Sequence, residues 1–431
     1  MNSSRRRFLT AAALASTAAP AFSSSAPRMI KAALIGCGGR GQTLIDAFAK
    51  LPDVGFKWLC EVDEARRNAA QRRLGNEVRA TGDLRHVLED EEVNTVIIAT
   101  PDHWHAPAAI LACEAGKHVY VEKPCSHTVR EGRLLVEAAR RNNSVVQHGT
   151  QVRSTDMMIE AVQLLRKGVI GDVLVCKAWN IQRRGSIGHQ QPSDPPEGLD
   201  YDLWVGPARM IPYQKNRHQG WHWWYHFGTG DMGNDGVHDI DYARWGLGVT
   251  QHPRYISASG GKYFFDDDQE FPDTQQVTFE YPGSGKHGSR RMLIYEQRLW
   301  STSYPHNVDS GVEFYGTGGQ MFLSRRGKIE VTGERRKRIE HGITPEAQNH
   351  EKHVANFVAC IHSGERPNAD IEIGHLTSSL CHLGNIATRL GRRLEFDGER
   401  EAMQRDPEAD QLLTGQYRRH WATPEIPGPV F

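Results

Sequence analysis

Between Met29 and Gly149, short apolar runs alternate with stretches whose apolar residues recur at helical spacing. Strands are predicted at Met29–Ile35, Gly55–Cys60, Val93–Ala99, the run from Gly116 to Val121, and Ser144–Gly149, with a shorter segment at Val78–Thr81. Helices are predicted from the glycines after Ile35 to Lys50, over Asp83–Asp90 and over Val129–Asn142, and Pro107 suits the first turn of another that stops before Gly116. Strands that alternate with helices require right-handed crossovers and hence a parallel sheet.

After Gln151 the alternation lapses. A helix at 156–167 precedes a strand-rich region: Val173–Trp179, Arg254–Gly260, Gln275–Tyr281, Arg291–Glu296, Gly311–Gly316 and Gln320–Ser324. Late helices are predicted at Asn349–Ser363 and Gly374–Leu390, and the Pro/Ser/Gly segment around Ser186–Gly198 reads as a surface loop. The fold class is α/β: an N-terminal domain of alternating strands and helices (29–150), which the glycine loop after its first strand makes a Rossmann dinucleotide-binding domain, then an α+β domain (151–395) with a large, mainly antiparallel open sheet, and a tail (396–431).

The first strand opens into Gly36-Cys37-Gly38-Gly39-Arg40-Gly41, a G-x-G-x-x-G loop before a helix. Its glycines allow a tight turn, the close approach of a pyrophosphate, and helix-on-strand packing, while the helix start supplies amide donors. Glu61 ends the second strand twenty residues after Gly41, placed for ribose hydroxyls and repelling a 2'-phosphate, so NAD is favoured over NADP. Arg66 and Arg67 argue the other way, but read as a solvated helix face. Thr100-Pro101-Asp102-His103-Trp104-His105 should form a loop over the cofactor, its histidines shaping the turn or touching ribose. Glu122-Lys123-Pro124 ends a strand at the sheet's carboxyl edge, where such folds place ligands; the proline stops the strand and Lys123 is the first catalytic candidate.

A second constellation runs from Trp221-His222-Trp223-Trp224 through a glycine-rich stretch to His238 and Asp241. A helix begun near Gly236 puts His238 in its first turn, with Asp241 and Arg244 sharing a face. Most of the aromatics should pack an interface, with a ring or two left to stack on a ligand. His222, His226 and His238 offer a minority metal reading, unsupported by any H-E-x-x-H pattern, so no metal is assigned.

Composition narrows the partners. The 431 residues are 39% hydrophobic and 24% charged, with 52 basic against 52 acidic side chains, which disfavours nucleic acid and anionic membranes. Seven scattered cysteines look like free buried thiols. At the start, Ser4-Arg5-Arg6-Arg7-Phe8-Leu9 precedes a weakly apolar alanine-rich run, resembling a twin-arginine export signal over 1–26 and predicting a periplasmic or otherwise exported protein. That run is too short and polar for stable membrane insertion. Open sheets of this kind often pair through their exposed face, so a homo-oligomer is expected.

The glycine loop, Thr100-Pro101-x-x-x-His105 and Ala115-Gly116-Lys117-His118-Val119-Tyr120-Val121-Glu122-Lys123-Pro124 together resemble the glucose-fructose oxidoreductase, inositol dehydrogenase and MocA family (Gfo/Idh/MocA) over nearly the whole chain after the signal. The resemblance implies an NAD site from Gly36, Gly38, Gly39, Arg40, Gly41, Glu61, Thr100, Pro101, His105, Glu122 and Lys123, with Lys123 beside the nicotinamide and the substrate hydroxyl. It implies that His238 works with Lys123 on a small-molecule carbohydrate, and that Asn234 replaces an aspartate four residues earlier, with Asp235 beside it and Asp231 a candidate substitute. Trp204, from a Trp-Val-Gly-Pro segment like that of a subgroup, together with Trp224, Asn234, Asp235 and Asp241, would then contact substrate. Either His238 or Lys123 is the base. Three activities follow: oxidoreductase on a sugar hydroxyl with tightly bound, recycled NAD; redox-neutral glycoside cleavage through a transient keto-sugar; or noncatalytic sugar binding.

Overall fold

The computed structural model describes residues 29–282 and 290–425. The twin-arginine segment lies outside them. Strands β1 (Ile30–Ile35), β2 (Val54–Cys60), β3 (Arg79–Thr81), β4 (Thr95–Ile98), β5 (His118–Val121) and β6 (Val146–His148) form one parallel sheet in the order β3-β2-β1-β4-β5-β6. That order is the doubly wound dinucleotide-binding one, with a ligand crevice at the carboxyl ends of the strands. Helices α1 (Gly39–Phe48), α2 (Glu64–Leu74), α3 (Arg85–Glu89), α4 (Asp102–Glu114) and α5 (Val129–Arg141) connect them. β1 and β4 are almost wholly buried, as strands covered on both faces must be.

α4 starts at Asp102, five residues ahead of Pro107, which lies inside the helix rather than at its first turn. The first turn is set from outside: the His103 amide donates to the Phe227 carbonyl of the second domain at 3.3 Å. His103, Trp104 and His105 therefore stand on a buried helical turn and not on a loop.

Beyond α6 (Asp156–Arg166), strand β7 (Val173–Asn180) enters a second sheet. Short helices α7 (Tyr201–Val205) and α8 (Lys215–Gln219) precede a five-residue π-turn, Met232–Gly236, and α9 (Val237–Leu247). Then come β8 (Tyr255–Gly261), β9 (Thr274–Pro282), β10 (Arg290–Arg298), β11 (Ser310–Gly316), β12 (Gly319–Ser324) and β13 (Lys328–Gly333). After α10 (His350–Ser363) and α11 (Ile371–Leu390), the chain adds β14 (Leu394–Asp397), β15 (Ala402–Met403) and α12 (Pro407–Gln411), so the segment expected to be a tail carries structure. The sheet order is β13-β12-β11-β7-β10-β9-β8-β14-β15, antiparallel throughout except where β7 lies parallel to β10. Among the described residues no helix is long and apolar enough to cross a membrane.

α9 and α11 fill the space against this sheet, and their residues are buried on nearly every side. α10 instead crosses back to the first domain, where Val354, Phe357 and Val358 join Phe48 and Tyr120 in one apolar cluster. A buried ion pair pins α9: Arg153 Nε meets Asp241 Oδ2 at 2.7 Å, and the Thr377 hydroxyl of α11 donates to Asp241 Oδ1 at 2.8 Å. Removing the cation strands a carboxylate with no access to water. Arg153→Met should cost about 3–5 kcal/mol of stability, and the double change Arg153→Met with Asp241→Leu should recover much of it; urea unfolding of the three proteins checks this, and equal loss in both variants would contradict it.

Candidate active site

A cavity of about 440 Å3 runs along the carboxyl ends of the parallel strands, from Gly82 and Leu84 past the glycine loop to Lys123 and Asn234. Its floor is backbone. Gly36 has φ +91°, and a Cβ there would stand 2.6 Å from the Ala99 carbonyl oxygen; one on Gly41 would stand 2.1 Å from the Gly36 oxygen. Gly39 has no heavy atom within 4 Å of such a position, which leaves its backbone open to an approaching phosphate. Glu61 lines the cavity with its Oε2 accepting from the Cys37 amide at 2.7 Å and its Oε1 from the Asp63 amide at 3.1 Å. The Thr100 hydroxyl is buried in the same wall without a partner among the described residues. Open glycine amides, a carboxylate held beside them and an unpaired hydroxyl fit a nicotinamide dinucleotide.

The two arginines of α2 part: Arg66 stays on the exposed face, as expected, and Arg67 is half-buried. Arg67 Nη1 donates to the Glu61 carbonyl at 2.8 Å, while Arg66 reaches the cavity rim, 3.8 Å from a Cβ placed on Gly38. Arg40 turns inward to Glu122, its Nε 2.7 Å from Oε1. Burial alone would push the Glu122 carboxyl up, but Arg40 and Lys123 hold it below the ordinary range. Thr100, Pro101, His105, Glu122 and Lys123 all border the cavity. His105 is clamped by the carbonyls of Pro124 (2.6 Å) and Thr100 (2.8 Å), so it shapes the wall. His103 is likewise held by the Trp204 carbonyl at 2.9 Å.

At the far end, the peptide between Lys123 and Pro124 is cis, and the Lys123 ammonium donates to the main-chain carbonyl of Asn234 and, at 3.4 Å, to its side-chain oxygen. The π-turn that carries Asn234 is an uncommon geometry, found disproportionately at functional sites. Asn234 Nδ2 in turn donates to Asp231 at 3.2 Å. Behind it lies a ladder of buried charge. Arg184 joins Asp231 (2.8 Å) to Asp235, and Arg325 joins Asp235 (3.0 Å) to Asp239 (3.6 Å). Burial works to raise the Asp235 carboxyl, but Arg325 and Arg184 outweigh it and keep the group ionised. Burial raises Asp239 to about 7.

His238 sits in this surrounding, buried, with Nδ1 lacking a partner among the described residues. Burial, with Arg325 and Lys123 adding repulsion, drives its pKa well below 6.5, so the imidazole is neutral. His222 is held neutral by burial and by Arg184 and Lys123, at about 3.

The substrate candidates separate. Asn234 and Trp204 line the cavity, and Asp235 belongs to the charge ladder beneath it. Asp241, expected against substrate, instead faces Arg153 and Thr377, and its supposed helix-face partner Arg244 donates to Val249, Ile373 and Thr377. Trp224 packs among Trp204, Trp223 and Phe227, under the Arg217 guanidinium at 4.4 Å, and is absent from the cavity wall. Arg184, Arg325 and Trp421 were not singled out by sequence, and of the aromatic run it is Trp221 that lines the cavity. Arg184 lies just before the Pro/Ser/Gly loop around Ser186–Gly198, and nothing in its spacing marks it.

His226 lies in a separate cavity of about 210 Å3 with His103, His127 and His382. One group of metal-ligating side chains converges among the described residues, His252, His375 and Glu401. Its shared oxygen, Glu401 Oε1, already accepts from both histidines and from Arg133 at 2.7 Å, while Glu401 Oε2 and His252 Nδ1 are buried without partners among the described residues.

Comparison with known proteins agrees with this architecture. Residues 30–150 match the oxidoreductase family's NAD-binding Rossmann fold, and residues 306–423 match its C-terminal alpha/beta domain, together more than half of the chain. Among curated proteins, the "Glycosyl hydrolase family 109 protein 1" of Shewanella sp. (strain MR-4) is 33% identical over 161 residues, 35% of each chain. Levoglucosan dehydrogenase of Pseudarthrobacter phenanthrenivorans is 29% identical over 225 residues, 50% of each. The chain thus spans between 35% and 50% of the length of these curated relatives. Among solved structures, levoglucosan dehydrogenase in complex with NADH has the same fold, with a TM-score of 0.66 at 19% identity over 85% of this chain and 99% of that one. Aldose-aldose oxidoreductase from Caulobacter crescentus, complexed with glycerol, gives 0.65 at 18% identity over 86% and 100%. With both of its domains matched by the family's own, the chain belongs to the Gfo/Idh/MocA family of oxidoreductases.

Proposed function

We propose that this protein is an NAD-dependent oxidoreductase acting on a hydroxyl of a sugar, glycoside or cyclitol, exported by the twin-arginine route with its cofactor tightly bound and recycled. The observation that carries the reading is the meeting of the Lys123 ammonium with Asn234 at the β5 end of a dinucleotide cavity, with neutral His238 in electrostatic range of that ammonium. The names of relatives support the substrate class: levoglucosan dehydrogenase has been solved with NADH and levoglucosan.

In this reading, bound NAD supplies the hydride acceptor. Glu61 holds ribose hydroxyls, and the glycine loop holds the pyrophosphate. The neutral His238 imidazole takes the hydroxyl proton, and Lys123 donates a hydrogen bond to the same oxygen, stabilising negative charge as it develops. Asn234 cannot take a proton; it holds Lys123 by its carbonyl and is itself held by Asp231. The buried charge ladder keeps these groups from relaxing when substrate arrives.

A second reading, redox-neutral glycoside cleavage through a transient keto-sugar, is favoured by several relatives named glycosyl hydrolase family 109, at 32–34% identity over 161 residues. A keto group acidifies the neighbouring C–H, which permits elimination of the glycoside before the ketone is reduced again. Screening sugars and aryl glycosides on NAD-loaded protein separates the two: net NADH accumulation is expected for the first, and aglycone release without net NADH would replace it by the second. Protein that binds no nicotinamide nucleotide would end both.

Lys123→Ala and His238→Ala should each lower turnover by about 100-fold or more, with circular dichroism unchanged; full activity in both would overturn the site assignment. The pH profile identifies the base. A base is active when deprotonated, and the His238 pKa lies below 6.5, so kcat/KM should hold as pH falls through 6.5 and drop only in more acidic solution. An acid limb that is lost in Lys123→Ala and kept in His238→Ala would give the proton transfer to Lys123 instead.

A further inference from the structure

The order of strand ends gives the cavity a direction. Lys123 follows β5, Glu61 follows β2, and Gly82 and Leu84 follow β3, so a dinucleotide with its nicotinamide at Lys123 puts its adenine toward Leu84. Two large rings border that end without belonging to the glycine loop or to the catalytic cluster: Trp104 at the start of α4, and Trp421.

Trp421 arrives there on the last described stretch of chain, which is fastened to both domains. On the second domain, residue 417 bridges to Ala208, the Arg418 amide donates to the Pro207 carbonyl at 3.0 Å, and the Arg418 guanidinium grips the Gly206 carbonyl (2.6 Å) and Asp202 (2.5 Å). On the first, the Tyr417 hydroxyl donates to Glu131 at 2.6 Å, and Ala422 is buried in the core against the parallel sheet. Between these anchors the Trp421 ring lies 5.9 Å from the Trp104 ring, tilted by 46°, with the Arg85 guanidinium carbon 4.8 Å from it. It remains 37% exposed and lines the cavity. A large aromatic ring, carried by a strap that is clamped before and after it and left partly uncovered over a nucleotide cavity, is suited to stacking on a base.

We propose that residues 412–425 form a strap that completes the adenine end of the cofactor site, and that Trp421, stacking with the base alongside Trp104, sets the rate at which the dinucleotide leaves. The inference rests on the cofactor reading of this cavity and is independent of the reaction. Retention then depends on two domains at once: the cofactor bound to the first is covered by a segment secured largely on the second. An enzyme that recycles one bound dinucleotide requires such slow release.

The test is the release of NADH from the full-length protein, followed by stopped-flow fluorescence with excess ADP-ribose to occupy the vacated site. Trp421→Ala should release NADH about ten-fold faster and bind ADP-ribose about ten-fold more weakly, because an aromatic platform under a base is removed. Trp421→Phe, which keeps a ring, should stay within about three-fold of wild type. An unchanged release rate in Trp421→Ala overturns the proposal, as does equal acceleration in the Ala and Phe variants, since a ring would then not be what holds the base. Wild-type protein that takes up no NADH overturns the cofactor reading itself, and the strap with it.

Discussion

Three carboxylates, Asp231, Asp235 and Asp239, share one buried rim where the π-turn runs into α9, and they can be buried together only because Arg184 and Arg325 are interleaved between them. A carboxylate left alone in such surroundings would take up a proton or draw in water. The interleaving fixes Asp231, which fixes the Asn234 amide, whose residue receives the Lys123 ammonium from the other domain. The position of the lysine is therefore decided less by its own strand than by a charge pattern two layers behind it. Burial keeps His238 neutral, and Arg325 of the same pattern adds to it together with Lys123, since an imidazolium there would face both.

The parallel sheet was the most legible part of the chain, because its evidence is local. An apolar strand, a glycine turn and a helix follow one another within twenty residues, and the parallel pairing follows from right-handed crossovers. Where the outcome depended on distant partners, local pattern fell short. The first turn of α4 is set by the Phe227 carbonyl, more than a hundred residues away, so Pro107 pointed to the wrong place. The parallel pairing of β7 with β10 joins segments with two intervening strands, β8 and β9, and no hairpin signal announces it.

Within the site, legibility depended on whether a residue's role came from its type or from its direction. Lys123, Glu61, Gly36, Gly38 and Gly39 are placed by strand ends and turns, and all reach the cavity, while Gly41 packs beneath Gly36. Asp241 and Trp224 did not follow their expected directions. α9 is covered on nearly every side, so polar residues along it serve different neighbours and helical periodicity does not say which one. The aromatic run from Trp221 passes through a 3-10 turn, which sends Trp221 to the cavity and Trp224 into packing.

The return of α10 to the first domain bears on how the protein is made. Phe48 and Tyr120, both fully buried, are covered in part by Phe357, whose ring lies 6.2 Å and 5.9 Å from theirs. During synthesis from the N-terminus, the dinucleotide domain emerges with that patch bare and keeps it bare until more than two hundred further residues have been added. Contacts so distant in sequence form late, and exposed aromatic surface in the interval is a site for misassociation. The first domain thus reaches its full burial only when α10 has been added, and its core is completed by the second half of the chain.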